Sequence, residues 1–200
     1  MDPYKFNVLT VMHTGTRFLN IYLKRCGMIF PINYPLETRP QYRDVATYEM
    51  NHFSSHWNPT TAKIMTGTKA GYPTLSILRD PLLNALSWLE RNKSITECVE
   101  SWNQFINYAS YTNTIFFDID CPEEYRESHL LNITKQLGFY DESLIELTHH
   151  YAKEWKPIGA TDSPHKTAYL RDGTLPELYN WGRFERATKW YNMKLKECVY

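Results

Sequence analysis

An α/β fold, a central parallel β-sheet flanked by helices, is predicted for this chain by three observations. Short apolar runs rich in β-branched residues alternate with stretches whose apolar residues recur every three or four positions. Twice, such a run passes directly into a helix-start signal. The length of 200 residues, 42% of them apolar, suits a single domain over residues 1–200 with a core of its own.

Phe6 to Met12 (FNVLTVM) reads as a buried strand, and Arg17 to Cys26 follows at helical spacing with Gly27 as its stop. Residues 31–44 hold three prolines without periodicity, a surface connection. Val45 to Phe53 is the next strand, Thr60 to Met65 a short helix, and Pro73 to Arg79 (PTLSILR) a second buried strand that ends in an arginine. Asp80-Pro81 then starts a helix running to about Arg91. The aspartate accepts orphan N–H groups, and proline at the first helical position sacrifices no hydrogen bond.

Ser94 with Glu97 forms a capping box ahead of Ile95, Cys98, Val99, Trp102, Phe105 and Ile106, which repeat on one helical face. Thr114 to Ile119 (TIFFDI) is a further strand. Helices are expected at Glu123 to Leu137, Ser143 to Tyr151 and Leu175 to Met193, with a breaker-rich stretch from Pro157 to Gly173 between the last two. No internal repeat or low-complexity segment interrupts this order.

Twenty-two basic side chains balance 22 acidic ones, so no whole-molecule field draws the chain to nucleic acid or an anionic membrane. Cys26, Cys98, Cys121 and Cys198 lie far apart with no C-x-x-C pair, which argues against a zinc site and a disulfide scaffold and fits reduced thiols in a cytosol. No signal-peptide pattern and no run of 18 apolar residues occurs, so a soluble, cytoplasmic protein is expected. The glycosylation sequons at Asn92 and Asn132 are then without a role.

In a parallel sheet, ligands bind beyond the carboxyl ends of the strands, where loops lead into helix N-termini. Two such junctions carry chemistry. At Met12-His13-Thr14-Gly15-Thr16-Arg17, a glycine lets the backbone approach a bound group, and free N–H groups, two hydroxyls and Arg17 suit an anion such as phosphate. The Walker pattern is absent, because Thr10 stands at its first glycine and Thr16 at its lysine. At the second junction Arg79 sits at the mouth of a strand, and Asn84, Ser87 and Arg91 follow on one stripe of the next helix. Arginine stays charged and grips phosphate with two prongs. The alternative is that Arg79 pairs with a nearby carboxylate and Ser87 faces solvent.

Together the junctions resemble the sulfotransferase family that uses 3′-phosphoadenosine 5′-phosphosulfate. That family holds the 5′-phosphosulfate with a strand–loop–helix of the kind (K/R)-(S/T)-G-T-(T/S), and the 3′-phosphate with R-(D/N/K)-P and a serine eight residues after the arginine. The matching stretches are His13-Thr14-Gly15-Thr16-Arg17 and Arg79-Asp80-Pro81 with Ser87, and the resemblance covers about residues 6–92. It implies a P-loop-like sulfotransferase architecture, this nucleotide as donor, no metal, and cofactor contacts from His13, Thr14, Gly15, Thr16, Arg17, Phe18, Arg79 and Ser87. One departure stands out: His13 occupies the place of the family's basic residue, so either a protonated His13 or Arg17 takes that role.

The resemblance also implies a general base, His or Glu, from the strand or loop ahead of the R-D-P strand. His52 is the first candidate, His56 the second and Glu49 the third, with His13 a further candidate for the reacting centre. A C-terminal loop that closes over the 3′-phosphate is matched to Gly159 through Lys166, with Ser163 and Lys166 as its contacts. His129, His149 and His150 fall on expected helices and read as surface or satisfied residues. The acceptor, whether a small molecule, a carbohydrate or a peptide, is not encoded in any motif, nor is the oligomeric state. Two other readings stay open, a P-loop-like kinase and a non-catalytic nucleotide-binding module.

Overall fold

The structure, a computed structural model, describes residues 6–11, 14–26, 50–53, 73–110, 113–155 and 163–198. His13, Gly27, the connection at 31–44, Glu49, His56 and the short helix expected at 60–65 lie outside the described residues. So does the first part of the expected Val45 strand.

Among the described residues four strands form one sheet: β1 (Asn7–Val11), β2 (Met50–Phe53), β3 (Thr74–Leu78) and β4 (Thr114–Asp118). Their order is β2-β1-β3-β4, and every pairing is parallel. Between them and after them come α1 (Thr16–Arg25), α2 (Pro81–Leu89), α3 (Ile95–Ala109), α4 (Arg126–Gln136), α5 (Leu144–Lys153), α6 (Pro164–Asp172) and α7 (Glu185–Leu195).

Alternation along each strand decides which helices cover which face. Leu75, Ile77 and Phe117 join Phe18, Leu19, Tyr22 and Leu23 of α1, and Leu130, Ile133 and Tyr151 of α4 and α5, in one core. Val11 and Leu78 join Ala85 and Trp88 of α2, Trp102 and Phe105 of α3, and Trp190 of α7 in a second. Both faces are therefore buried, the condition under which an all-parallel sheet is stable. On the second face Asn84 is fully buried, where it accepts the Trp102 indole N–H at 3.0 Å and the Cys98 thiol at 3.5 Å.

Two segments depart from the sequence expectation. The stretch expected as a loop up to Gly173 contains α6, whose first-turn N–H at Lys166 is accepted by the Ser163 hydroxyl at 3.2 Å. Pro164 takes the first helical position and Gly173, at φ 77°, the left-handed stop. The residues that read as breakers are the boundaries of a helix. The helix expected from Leu175 begins only with a 3-10 turn at Trp181–Phe184, followed by α7. Pro176 turns its carbonyl to the Trp181 indole at 2.7 Å, Leu175 is half-buried, and Leu178 and Tyr179 are exposed, so the apolar spacing before Trp181 does not make a buried helical face.

Asn84→Ala is expected to cost about 2 to 3 kcal/mol, because it strands a buried indole N–H and a thiol without their acceptor. The measurement is urea unfolding, with a lower midpoint at unchanged slope.

Candidate functional site

The order β2-β1-β3-β4 turns back on itself between β1 and β3, since the chain leaves β1 toward one side for β2 and reaches the other side for β3. Helix α1 packs on one face of the sheet and α2 on the other. Loops that part in this way open a crevice at the carboxyl ends of the two strands, the common ligand position in open α/β sheets. The two junctions singled out in the sequence are those two loops.

The first corner is built by local bonds. The Thr14 hydroxyl, fully buried, donates to the Val11 carbonyl at 2.7 Å and ties the turn to the end of β1. Gly15 adopts φ 101°, and its carbonyl accepts the N–H groups of Phe18 at 3.0 Å and Leu19 at 3.4 Å as α1 begins. A Cβ at Gly15 would lie 2.9 Å from Ile119 Cγ1. Glycine is therefore required twice, by backbone conformation and by the neighbour. Thr16 and Arg17 open α1.

Phe18, the last residue of the first corner's candidate set, turns its ring inward. Its ring lies in the core, 4.6 Å from Trp155, 4.8 Å from Tyr151 and 6.0 Å from Phe117, centroid to centroid.

The second corner leaves β3 at Arg79, which is 4% exposed. Asp80 caps α2 by accepting the Leu82 N–H at 2.8 Å, and its other oxygen accepts the Tyr169 hydroxyl at 2.7 Å. Asn84 faces α3, as described above, and Arg91 is exposed. The Ser87 hydroxyl is buried and donates to the Leu83 carbonyl at 3.1 Å. Its lone pairs remain able to accept, while donation to an anion requires the proton to swing away from Leu83.

The residues that follow β4, on the far side of β3 from β1, reach both corners. Ile119, the residue against Gly15, donates its N–H to the Leu78 carbonyl at 3.1 Å. Next to it, Asp120 Oδ2 lies 4.0 Å from Arg79 Nε, and it is buried without a hydrogen bond among the described residues. Asp120 N–H donates to Asp118 Oδ1 at 3.0 Å, and the Asp118 N–H donates to His129 Nε2 at 2.9 Å. Burial pushes the Asp120 carboxyl up to about 6, the Arg79 guanidinium pulls it down, and the charge of Asp118 pushes it up again. The two corners thus meet over a single Ile-Asp pair.

Ser163 and Lys166 are not brought to Arg79 by their described bonds. Ser163 caps α6, and the Lys166 ammonium, its side chain 3% exposed, pairs with Glu90 Oε2 at 2.5 Å. Glu90 follows the far end of α2, a helix of nine residues that spans about 13 Å. From the same helix α6 it is Tyr169 that reaches the Asp80 corner.

His52 stands on β2 in register with Thr10 of β1, at the same carboxyl edge as both corners. His129 is buried and satisfied through Asp118, whereas His149 and His150 are exposed and face Glu127 and Glu154. Burial pushes the thiols of Cys26, Cys98, Cys121 and Cys198 upward, which keeps them protonated and poor nucleophiles at neutral pH. Among the described residues no group of three or more His, Cys, Asp or Glu side chains is arranged to hold a metal, and no helix is long and apolar enough to cross a membrane. A cavity of about 350 Å³ opens away from the corners, between Lys93–Thr96 and Leu178–Asn180.

Sequence reasoning missed Asp120 and Tyr169. Asp120 was reachable: Asp118-Ile119-Asp120 places carboxylates at the end of an apolar run, on the edge where ligands bind. Tyr169 carried no signal, since its helix was read as a loop.

Gly15→Ala should destabilise the chain by about 1 to 3 kcal/mol in chemical unfolding, from the positive φ and the contact with Ile119. A second expectation concerns pH. The folded-state pKa of Asp120 lies above the ordinary carboxylate value of 3.8, so its stabilisation is full below pH 3.8 and is lost as pH rises to about 6. Comparing Asp120→Asn with the parent chain, the balance should move toward the Asn variant by about 2 to 3 kcal/mol between pH 4 and 6. Unfolding curves of both proteins across that range measure it.

No protein-family model matches this chain, and no curated protein matches it. Among solved structures, that of the mouse sulfotransferase SULT7A1 complexed with PAP aligns with 96% of this chain and 84% of its own, at a TM-score of 0.46 and 14% identity. A likeness at that level assigns neither family nor activity.

Proposed function

We propose that the chain is a sulfotransferase with a P-loop-like architecture, moving a sulfuryl group from 3′-phosphoadenosine 5′-phosphosulfate to a hydroxyl or amine acceptor. One observation carries this reading: the two corners whose motifs resemble that family leave neighbouring strands, β1 and β3, at the switch point of the sheet, and meet across Ile119. A donor with an anionic group at each end has a grip for each. The Gly15 turn and the start of α1 suit the phosphosulfate, and Arg79 with the start of α2 suits the 3′-phosphate.

In this scheme the acceptor oxygen attacks sulfur in line with the phosphate oxygen. The new S–O bond forms as the bridging S–O bond breaks, and 3′-phosphoadenosine 5′-phosphate departs. Charge that builds on the leaving oxygen is met by the N–H groups and hydroxyls of the first corner, with His13 or Arg17 as the cationic donor. The acceptor proton passes to His52, whose strand lies two strand spacings, about 10 Å, from β3. That separation suits a nucleotide whose reacting end and 3′-phosphate lie apart. His56 and Glu49 are the alternative bases.

The test compares 3′-phosphoadenosine 5′-phosphate with ATP plus magnesium by thermal shift, followed by transfer of labelled sulfate to a panel of hydroxyl and amine acceptors. A Tm rise with the former alone is expected, and stabilisation by ATP and magnesium instead would make the chain a kinase. Binding without transfer to any acceptor would make it a non-catalytic module. Arg79→Lys, which keeps the charge and loses the fork, should weaken nucleotide binding at least tenfold, about 1.4 kcal/mol. His52→Ala should leave binding unchanged and slow transfer by about 10² to 10⁴.

A further inference from the structure

Arg79 already has an anion beside it. Asp120 Oδ2 lies 4.0 Å from its Nε, farther than a hydrogen bond, and that oxygen is buried without a hydrogen bond among the described residues. Arg79 is 4% exposed and the Asp120 side chain 24% exposed, so the guanidinium is buried while its carboxylate partner reaches the edge of the corner. A ligand anion gripped by this guanidinium therefore comes up against the carboxylate as well. An anion without a proton meets like charge in a setting that screens it poorly. A phosphate monoester that carries one proton can donate it to Oδ2 while its other oxygens accept from Arg79.

We propose that Asp120 is the specificity-determining residue of the Arg79 corner: it admits a phosphate monoester, which brings or shares a proton, and refuses a sulfate ester, which has none to give. The inference rests on the donor reading above and deepens it. The donor carries phosphate at one end and phosphosulfate at the other, and a corner that rejects sulfate fixes which end enters.

The surroundings fit a shared proton. Asp120 is flanked by Arg79 at the end of β3, by Asp80 at the cap of α2, whose backbone N–H also bonds to it, and by Asp118 on β4. Behind these stand His129 of α4, accepting from the Asp118 N–H, and Tyr169 of α6, donating to Asp80. The thiols of Cys121 and Cys198 stay neutral beside Asp118. Burial, opposed by Arg79, holds the carboxyl up at about 6, close to the second ionisation of a phosphate monoester at about 6. Two groups of matched acidity held together titrate as a pair and retain one proton between them.

The experiment titrates the full chain calorimetrically with 3′-phosphoadenosine 5′-phosphate at pH 7.5, in two buffers of different ionisation enthalpy. The nucleotide is then displaced with inorganic phosphate or inorganic sulfate at equal ionic strength. Uptake of about one proton is expected, with Kd rising up to about tenfold per pH unit above 7, and phosphate competing at least about tenfold better than sulfate. Asp120→Asn, which can donate to sulfate, should take up less and bring the two competitors within about threefold.

Equal competition by sulfate and phosphate against the parent chain, without proton uptake, would overturn the assignment and leave the donor reading standing. So would an Asn variant that keeps both properties. If that variant does not fold, the buffer dependence of the parent chain alone decides. Should the nucleotide not bind while inorganic phosphate, titrated directly, still binds over sulfate with proton uptake, the donor reading fails and the role of Asp120 holds. Binding of neither ends both.

Discussion

The close approach of Gly15 to Ile119 is the constraint on which the rest of the site depends. The turn after β1 can cross the end of the sheet only because no side chain stands between its backbone and the isoleucine. Ile119 is fixed in turn by its bond to the carbonyl that closes β3. The corners after the neighbouring strands β1 and β3 are thereby held at one edge of the sheet, with their orientation set by sheet register. The flexibility of the loops does not set it. The hydrophobic faces on either side of the sheet make that register unique, since a slip by one residue would exchange the two cores.

Two buried cations show how the same chemistry serves different ends. Lys166 and Glu90 close to hydrogen-bond distance, and the pair clamps α6 to α2; both charges are spent on one another. Arg79 and Asp120 are left 4.0 Å apart, with a carboxylate oxygen unbonded among the described residues. A buried acceptor in that state costs about 1 to 3 kcal/mol. The Arg79–Asp120 pair lies at the carboxyl edge of the sheet, where ligands bind in open α/β folds.

The sequence by itself determined what rests on neighbours within a few residues. The caps at Asp80 and Ser94 are visible as letters because the bond each makes ends two or three positions on. The strands at Phe6, Pro73 and Thr114 are visible because burial on both faces forces continuous apolar runs. The glycine of the first corner and the arginine of the second were legible for the same reason: each follows directly from the end of such a strand. Pro164 and Gly173 were misread because a breaker and a boundary are the same residue, told apart only by whether a helix lies between them.

Tertiary structure alone decided the partners. Lys166 meets Glu90 across 76 positions, Tyr169 meets Asp80 across 89, and Asp120 comes to Arg79 only when β4 pairs with β3. Phe18 follows the Gly15 turn in sequence, yet its ring belongs to the core because α1 turns that face toward Phe117 and Trp155. Such pairings depend on which strands lie side by side and which helix faces are covered, and no local pattern of residues encodes that. The letters locate each group along the chain. Which charge each buried group then meets is settled by the packing of the sheet and its two layers of helices.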